Sequence, residues 1–187
     1  MTLEDFTKAL TPKNGEPAYT DAVIRKYKKN SNLCSIGEVE KNVYFIISGI
    51  IEAGMITKGE EKIIEFIFPN VFASSFSSLL TQEPSEVYLN CLTDCEVAMI
   101  SFTKLRESAK TSLGASQFYI RSIEMAYLQR VNKEKDFLTL TAEERYLKLL
   151  ETRPEIVKQI PVFKIAKYLG IHPDSLSRIR KTKFGNV

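Results

Sequence analysis

Seven positions within fifteen residues constrain this chain more tightly than any other part of it. From Ile165 to Ile179 the sequence reads IAKYLGIHPDSLSRI. Ala166 places a small residue where two helices can cross closely, and Gly170 follows four residues later, where a tight turn needs positive φ. Ile165, Leu169, Ile171, Leu176 and Ile179 supply the aliphatic faces that two such helices would turn toward each other. The spacing predicts a helix-turn-helix. Pro173 suits the first turn of the second helix, where its missing N–H costs nothing, and His172 stands just before it.

The second helix would then project Asp174, Ser175, Ser177, Arg178 and Lys181 away from the aliphatic side. These groups suit base edges and phosphates: arginine pairs bidentately with guanine, a carboxylate accepts from cytosine, and serine adapts to either. Lys164, Lys167 and Lys183 are placed for phosphate contacts. A plain helical hairpin with a solvated face is the alternative. Charge distribution bears on the choice. Residues 161–187 hold six Lys/Arg against one acid, Asp174, a balance of +5, whereas the rest of the chain sums to −2. A basic tail on a mildly acidic body points to an anionic partner for the C-terminus, double-stranded DNA in this reading.

The first half of the chain has a different texture. The runs 43–56, 61–68, 86–92 and 95–101 are rich in β-branched and aromatic residues and are separated by turn signals. Gly49 interrupts the first run and marks a turn or bulge. Residues 20–29 read as a short helix or strand feeding into it. Short strands at this spacing predict a small β-barrel or sandwich, so the fold class is α+β. From Phe102 the pattern becomes helical and continues after Gly114 through residue 138. Ile120, Ile123, Tyr127, Val131 and Glu134 fall at spacings of three and four, in a stripe that Met125, Leu128 and Leu138 broaden. A stripe that wide serves two neighbours, as in a dimer helix; a helix lying on its own barrel is the alternative. Thr141 with Glu144 has the capping-box spacing, and Pro154 stops the helix that follows.

With 187 residues, 44% apolar and 26% charged, the chain has ordinary globular composition. No run approaches the length of a membrane span, and the acidic, proline-broken N-terminus does not suit a signal peptide. A cytoplasmic location is expected. Cys34, Cys91 and Cys95 are too few and too irregular for a disulfide framework, and read as buried structural thiols.

From about residue 20 to 181 the chain resembles the Crp/Fnr superfamily of bacterial transcription regulators. EKNVYFIISGIIEAGMITKGEEKIIEFIFPNVF looks like the family's barrel strands, TDCEVAMIS like the strand leaving the barrel, and AEERYLKLL like the first helix of its DNA-binding domain. IAKYLGIHPDSLSRIRK resembles its helix-turn-helix. The resemblance implies a double-stranded β-helix (jelly-roll, cyclic-nucleotide-binding-like) barrel over residues 1–110 and a dimerisation helix over 111–138. It implies a winged-type helix-turn-helix DNA-binding domain over 139–187. RPEIVKQIPVF is too short to hold a hairpin wing, so the wing is expected to be reduced or absent. By position, the family's base-reading residues fall on Pro173, Asp174, Ser177 and Arg178. Pro173 has no side-chain hydrogen bond to offer, which removes that contact. The implied protein is a homodimer on an inverted-repeat operator, with RNA polymerase as a further partner, and is not an enzyme. The alternative is a small-molecule or protein-binding module with a vestigial DNA-binding domain.

The effector site departs from the family pattern. Members that bind cyclic AMP carry a Gly-Glu pair and, ten residues after the Glu, an Arg-Ser pair. Here those positions read Ser74-Ser75 and Ser85-Glu86. The acid for ribose and the arginine for phosphate are both missing, and Glu86 would repel a phosphate. A buried anion without its counter-charge costs several kcal/mol, so cyclic AMP is not the expected ligand. Phe72, Ser74, Ser75, Ser85 and Glu86 either line a pocket for another small molecule or fill the old cavity. A family-type iron–sulfur cluster needs four cysteines and only three are present. Haem or a catalytic metal would need histidine ligands, and the one histidine, His172, lies in the helix-turn-helix. No cofactor is expected.

Overall fold

The computed structural model describes residues 22–185. The expectations for the first fifteen residues and for the head of the 20–29 segment lie outside them. The described residues fall into two compact units, one holding residues up to Met55 with Glu65–Met125, the other Ile56–Ile64 with the chain from Ala126 onward.

The first unit is a two-sheet β-sandwich, as the strand spacing predicted. Its described strands are β1 (Val23–Tyr27), β2 (Asn32–Cys34), β3 (Asn42–Ser48), β4 (Ile51–Thr57), β5 (Glu60–Ile67), β6 (Phe72–Ala73), β7 (Tyr88–Cys91) and β8 (Cys95–Ser101). They make two four-stranded sheets, ordered β1-β8-β3-β6 and β2-β7-β4-β5. The tips of β4 and β5 belong to the second unit. β8 pairs antiparallel with both β1 and β3, which makes it the spine of its sheet. Phe45, Ile46, Ile51, Phe66, Leu89, Val97 and Ile100 are fully or almost fully buried. Phe72 meets Phe45 edge-to-face at 5.1 Å between ring centroids.

Gly49 turns the chain between β3 and β4 with φ +89°. A Cβ there would stand 2.4 Å from the Asp94 carbonyl oxygen and 2.6 Å from the Cys95 sulfur. Both conformation and space therefore demand glycine. The segment that read as helix or strand is the strand β1. β2 and β6 left no mark in the sequence pattern, because three and two residues are too few to show a period of two.

Helices carry the rest: α1 (Phe76–Thr81), α2 (Phe102–Thr111) and α3 (Leu113–Thr139). The break between α2 and α3 falls at Ser112, in extended backbone with φ −126° and ψ 122°, and Gly114 sits inside α3. One glycine costs a helix about 1 kcal/mol, too little to end it when the neighbouring turns are packed. Here Ala115 is fully buried against Leu79, Ile100, Phe102 and Leu105.

In the second unit follow α4 (Ala142–Thr152), α5 (Pro154–Gln159), α6 (Val162–Leu169) and α7 (Pro173–Phe184). The capping box at α4 is present: the Thr141 hydroxyl accepts the Glu144 amide, and the Glu144 carboxylate accepts the Thr141 amide at 2.7 Å. Pro154 ends α4 and opens α5 at its first turn. Residues 154–159, between α4 and α6, thus form a short helix. Tyr146, Leu149, Ile156, Ile165, Ala166, Leu169 and Leu176 are buried side chains of these four helices, and Ile160, just past α5, is buried with them. None of the described helices is long and apolar enough to cross a membrane.

Candidate nucleic-acid interface

The turn between α6 and α7 has a specific construction. Gly170 takes the left-handed conformation, φ 69° and ψ 31°. Its amide donates to the Lys167 carbonyl at 3.2 Å, and the Ile171 amide donates to the Ala166 carbonyl at 3.0 Å. This paired closure is a Schellman motif, which satisfies the last carbonyls of α6 and brings Ile171 back toward Ala166. Phe137 packs under the turn, 3.0 Å from where a Cβ on Gly170 would stand. The Arg145 guanidinium lies over the Phe137 ring at 4.7 Å and donates to the carbonyls of Leu140 and Leu169, at 2.7 and 3.2 Å. Arg145 thus ties α4 to the end of α6. The sequence carried no signal for it, since a basic residue in an amphipathic helix reads as solvated.

α7 opens with His172 as N-cap, its Nδ1 accepting the Asp174 amide at 3.3 Å, and with Pro173 at the first helical position. Counting about 100° per residue, Asp174, Ser177, Arg178 and Lys181 fall in one sector about 100° wide, opposite Leu176. Leu176 is fully buried, and those four side chains are exposed. Ser175 lies to one side of the sector and is half-buried, with Arg178 Nη2 3.5 Å from its hydroxyl. The arrangement is a rigid helix presenting an acid, a hydroxyl and two cations to solvent.

The lysines expected at phosphates have these surroundings. Lys167 is half-buried and pairs with Glu61 at 2.6 Å, and Lys183 pairs with Glu143 at 2.7 Å. Lys164 lies with its ammonium 5.8 Å from the Phe163 ring centre. Glu61 and Glu143 went unnoticed in the sequence because they are remote from the lysines they bind.

The serine-lined segment around α1 lies in the first unit. Ser75, Ser78 and Ser85 are buried, Phe72 and Ser74 half-buried, and Glu86 exposed. Ser75 and Ser85, ten residues apart, come together with 2.7 Å between their hydroxyl oxygens. Ser85 also donates to the Val87 carbonyl and accepts the Val87 amide. Ser78 accepts the Glu40 amide and donates to the Glu83 carbonyl, while Ser74 donates to the Asn42 carbonyl at 2.9 Å. Glu40 itself is buried: one carboxylate oxygen accepts the amides of Lys41 and Asn42, each at 2.9 Å, and the Tyr44 hydroxyl lies 3.3 Å away. Burial and the neighbouring Glu40 charge raise the Tyr44 hydroxyl above its ordinary range. Neither Glu40 nor Tyr44 stood out in the sequence, where a lone acid before a strand reads as surface.

Residues 24–112 match the cyclic nucleotide-binding domain family. Among solved structures, the chain is similar to the c-di-GMP-responsive global regulator CLP of Xanthomonas campestris, at 20% identity over 86% of each chain with a TM-score of 0.68. It is similar to FixK2 of Bradyrhizobium japonicum at 18% identity, covering 86% of this chain and 83% of that one, also at 0.68. The catabolite activator protein of Thermus thermophilus matches at 16% identity over 97% and 83%, with a TM-score of 0.55. No curated protein sequence matches the chain. The likeness to the Crp/Fnr superfamily read from the sequence therefore holds at the level of the fold.

Proposed function

We propose that this Crp/Fnr-like chain is a DNA-binding transcription regulator that acts as a homodimer on an inverted-repeat operator. The observation that carries the reading is the exposed face of α7. Asp174, Ser177, Arg178 and Lys181 share one side of a helix that is capped at its start and braced behind by Leu176. Groups held this way can enter a major groove without first being ordered, so little conformational entropy is lost on binding. Arg178 and Asp174 supply base discrimination, with His172, Pro173 and Ser175 at the start of the helix shaping its fit. Lys164 and Lys181 supply phosphate affinity that weakens with salt.

The stripe along α3 supports the dimer. Leu113, Ile120, Met125, Tyr127, Leu128 and Leu138 are all exposed in the single chain, Leu113 and Leu138 by 76% and 79%. Apolar side chains in that number along one helix mark an association surface. Two chains joined there would set their α7 helices on successive major grooves about 34 Å apart.

Cyclic AMP is not the ligand in this reading. The serine hydroxyls at the cassette positions bond one another and the backbone, which supports a filled cavity. A purified sample should show no saturable melting shift with cyclic AMP or cyclic GMP.

One observation favours a second reading, a binding module whose DNA-binding domain is vestigial: Lys167 and Lys183 are both held by acids. Selection of bound duplexes from a random pool, at two salt concentrations and with Arg178→Ala in parallel, separates the two. Enrichment of an inverted repeat with half-sites about one helical turn apart, lost in the variant, is the expected result. Salt-sensitive binding without enrichment would favour the second reading.

A further inference from the structure

One side chain joins three helices where the chain leaves α3. Arg145, at the start of α4, donates through one guanidinium nitrogen to the carbonyl of Leu140, the residue after α3, at 2.7 Å. The other terminal nitrogen donates at 3.2 Å to the carbonyl of Leu169, the last residue of α6. The cation lies 4.7 Å from the ring centre of Phe137, in the last turn of α3. That ring lies against Gly170, so closely that a Cβ there would come within 3.0 Å of it. A second tie, Lys148 to Asp136 at 2.6 Å, joins α4 to α3; Arg145 extends the joint to α6.

Packing alone does not call for a cation here. Arg145 is half-buried, and its Nε is buried with no hydrogen-bond partner among the described residues. Such a group gives up hydration that an apolar side chain would not have to lose. What the guanidinium supplies is direction. Its nitrogens form a rigid fork, and both prongs end on carbonyls at helix C-termini, where the helix dipoles favour positive charge. Apolar contact is non-directional and would hold the same surfaces together without fixing the angle between them. α7 follows α6 through the closed turn at Gly170. The angle set at Arg145 is therefore the angle at which α7 is carried relative to the end of α3.

We propose that Arg145 is a positioning residue that determines which half-site spacing the dimer accepts. By keying the end of α3 to the turn before α7, it sets the separation of the two recognition helices. The proposal rests on the homodimeric DNA-binding reading and deepens it. Half-sites one base pair farther apart lie about 3.4 Å farther along the duplex and about a tenth of a turn around it. A joint held at one angle cannot follow that displacement without breaking a contact of the guanidinium. A looser joint can.

The test uses the full chain with four duplexes: the selected inverted repeat, the same repeat with half-sites one base pair closer or farther, and a random sequence. Arg145→Lys keeps the charge and the stem but loses the fork. It should lower the preference for the selected spacing over the shifted ones by ~10-fold, the effect of one hydrogen bond to a charged group, with affinity for the random duplex unchanged. Phe137→Leu removes the ring from beneath the guanidinium at a position 41% exposed, and should lower the preference less. It carries the test if Arg145→Lys does not fold. Leu149→Ala, a packing change in the same helix, should lower the melting temperature and leave the spacing preference intact. If both joint variants behaved like Leu149→Ala, Arg145 would be a brace of the fold and the proposal would be overturned. A parent chain that recovers no repeat would sink the DNA-binding reading and this proposal together. The first failure shows in the variants, the second already in the parent.

Discussion

The serine-lined segment of the sandwich and the exposed face of α7 contain similar chemistry, and they use it in opposite ways. In the sandwich, Ser75, Ser78 and Ser85 are buried, and their hydroxyls meet each other or the backbone. On α7, Asp174, Ser177, Arg178 and Lys181 face water while the opposite side of the helix carries the packing. A buried polar group left without a partner costs 1–3 kcal/mol or more, so polar groups inside a fold are tied into it. Those on a braced surface are free to meet something else. The contrast separates residues that hold the molecule together from those left available for the proposed recognition.

Substitutions test that separation, and the largest effect is expected at the sandwich corner. Gly49→Ala forces a left-handed backbone on an L-residue and drives a methyl into backbone atoms, at a cost of roughly 3 kcal/mol or more. Denaturant unfolding should show it as a large fall in midpoint. Ser85→Ala removes the hydroxyl that serves Ser75 and both polar groups of Val87, and should cost about 1–3 kcal/mol. A near-neutral result by thermal melting would mean that a water or a rearranged neighbour replaces the hydroxyl. In the helical unit, Thr141→Ala breaks the capping box and should cost ~1 kcal/mol. The smallest effect on stability belongs to Arg178→Ala, within about 0.5 kcal/mol. Its loss of ~1–3 kcal/mol should be confined to preferred DNA over random DNA. A variant that melted several degrees lower would erase the contrast and make Arg178 a structural residue.

The separation was only partly visible in the chain itself. The Ile165–Ile179 pattern was legible because it is local: Ala166, Gly170 and the five aliphatics all lie within two short helices and the turn between them, and the Schellman closure involves neighbours a few residues apart. The capping box at Thr141 and the turn at Gly49 were legible for the same reason. The serine segment was not. Whether Ser75 and Ser85 line a pocket or fill one depends on what else converges there, including Glu40, which is far away in sequence. The thiols were read as a pair of buried cysteines, and their burial was foreseen.

What the sequence determined by itself, then, was the order of its parts: a strand-rich half, a long amphipathic helix, and a compact helical end with a basic face. Periodicity, glycine placement and caps express short-range sterics and hydrogen bonding, and these survive without knowledge of the fold. Only the tertiary structure decided which polar groups have partners. It placed Lys167 on Glu61 and Lys183 on Glu143, stacked Arg145 on Phe137, and set Ser75 against Ser85. Such pairings depend on distances between residues remote along the chain. A partner's charge or hydroxyl acts over a few ångströms, so only the packed chain brings it within reach.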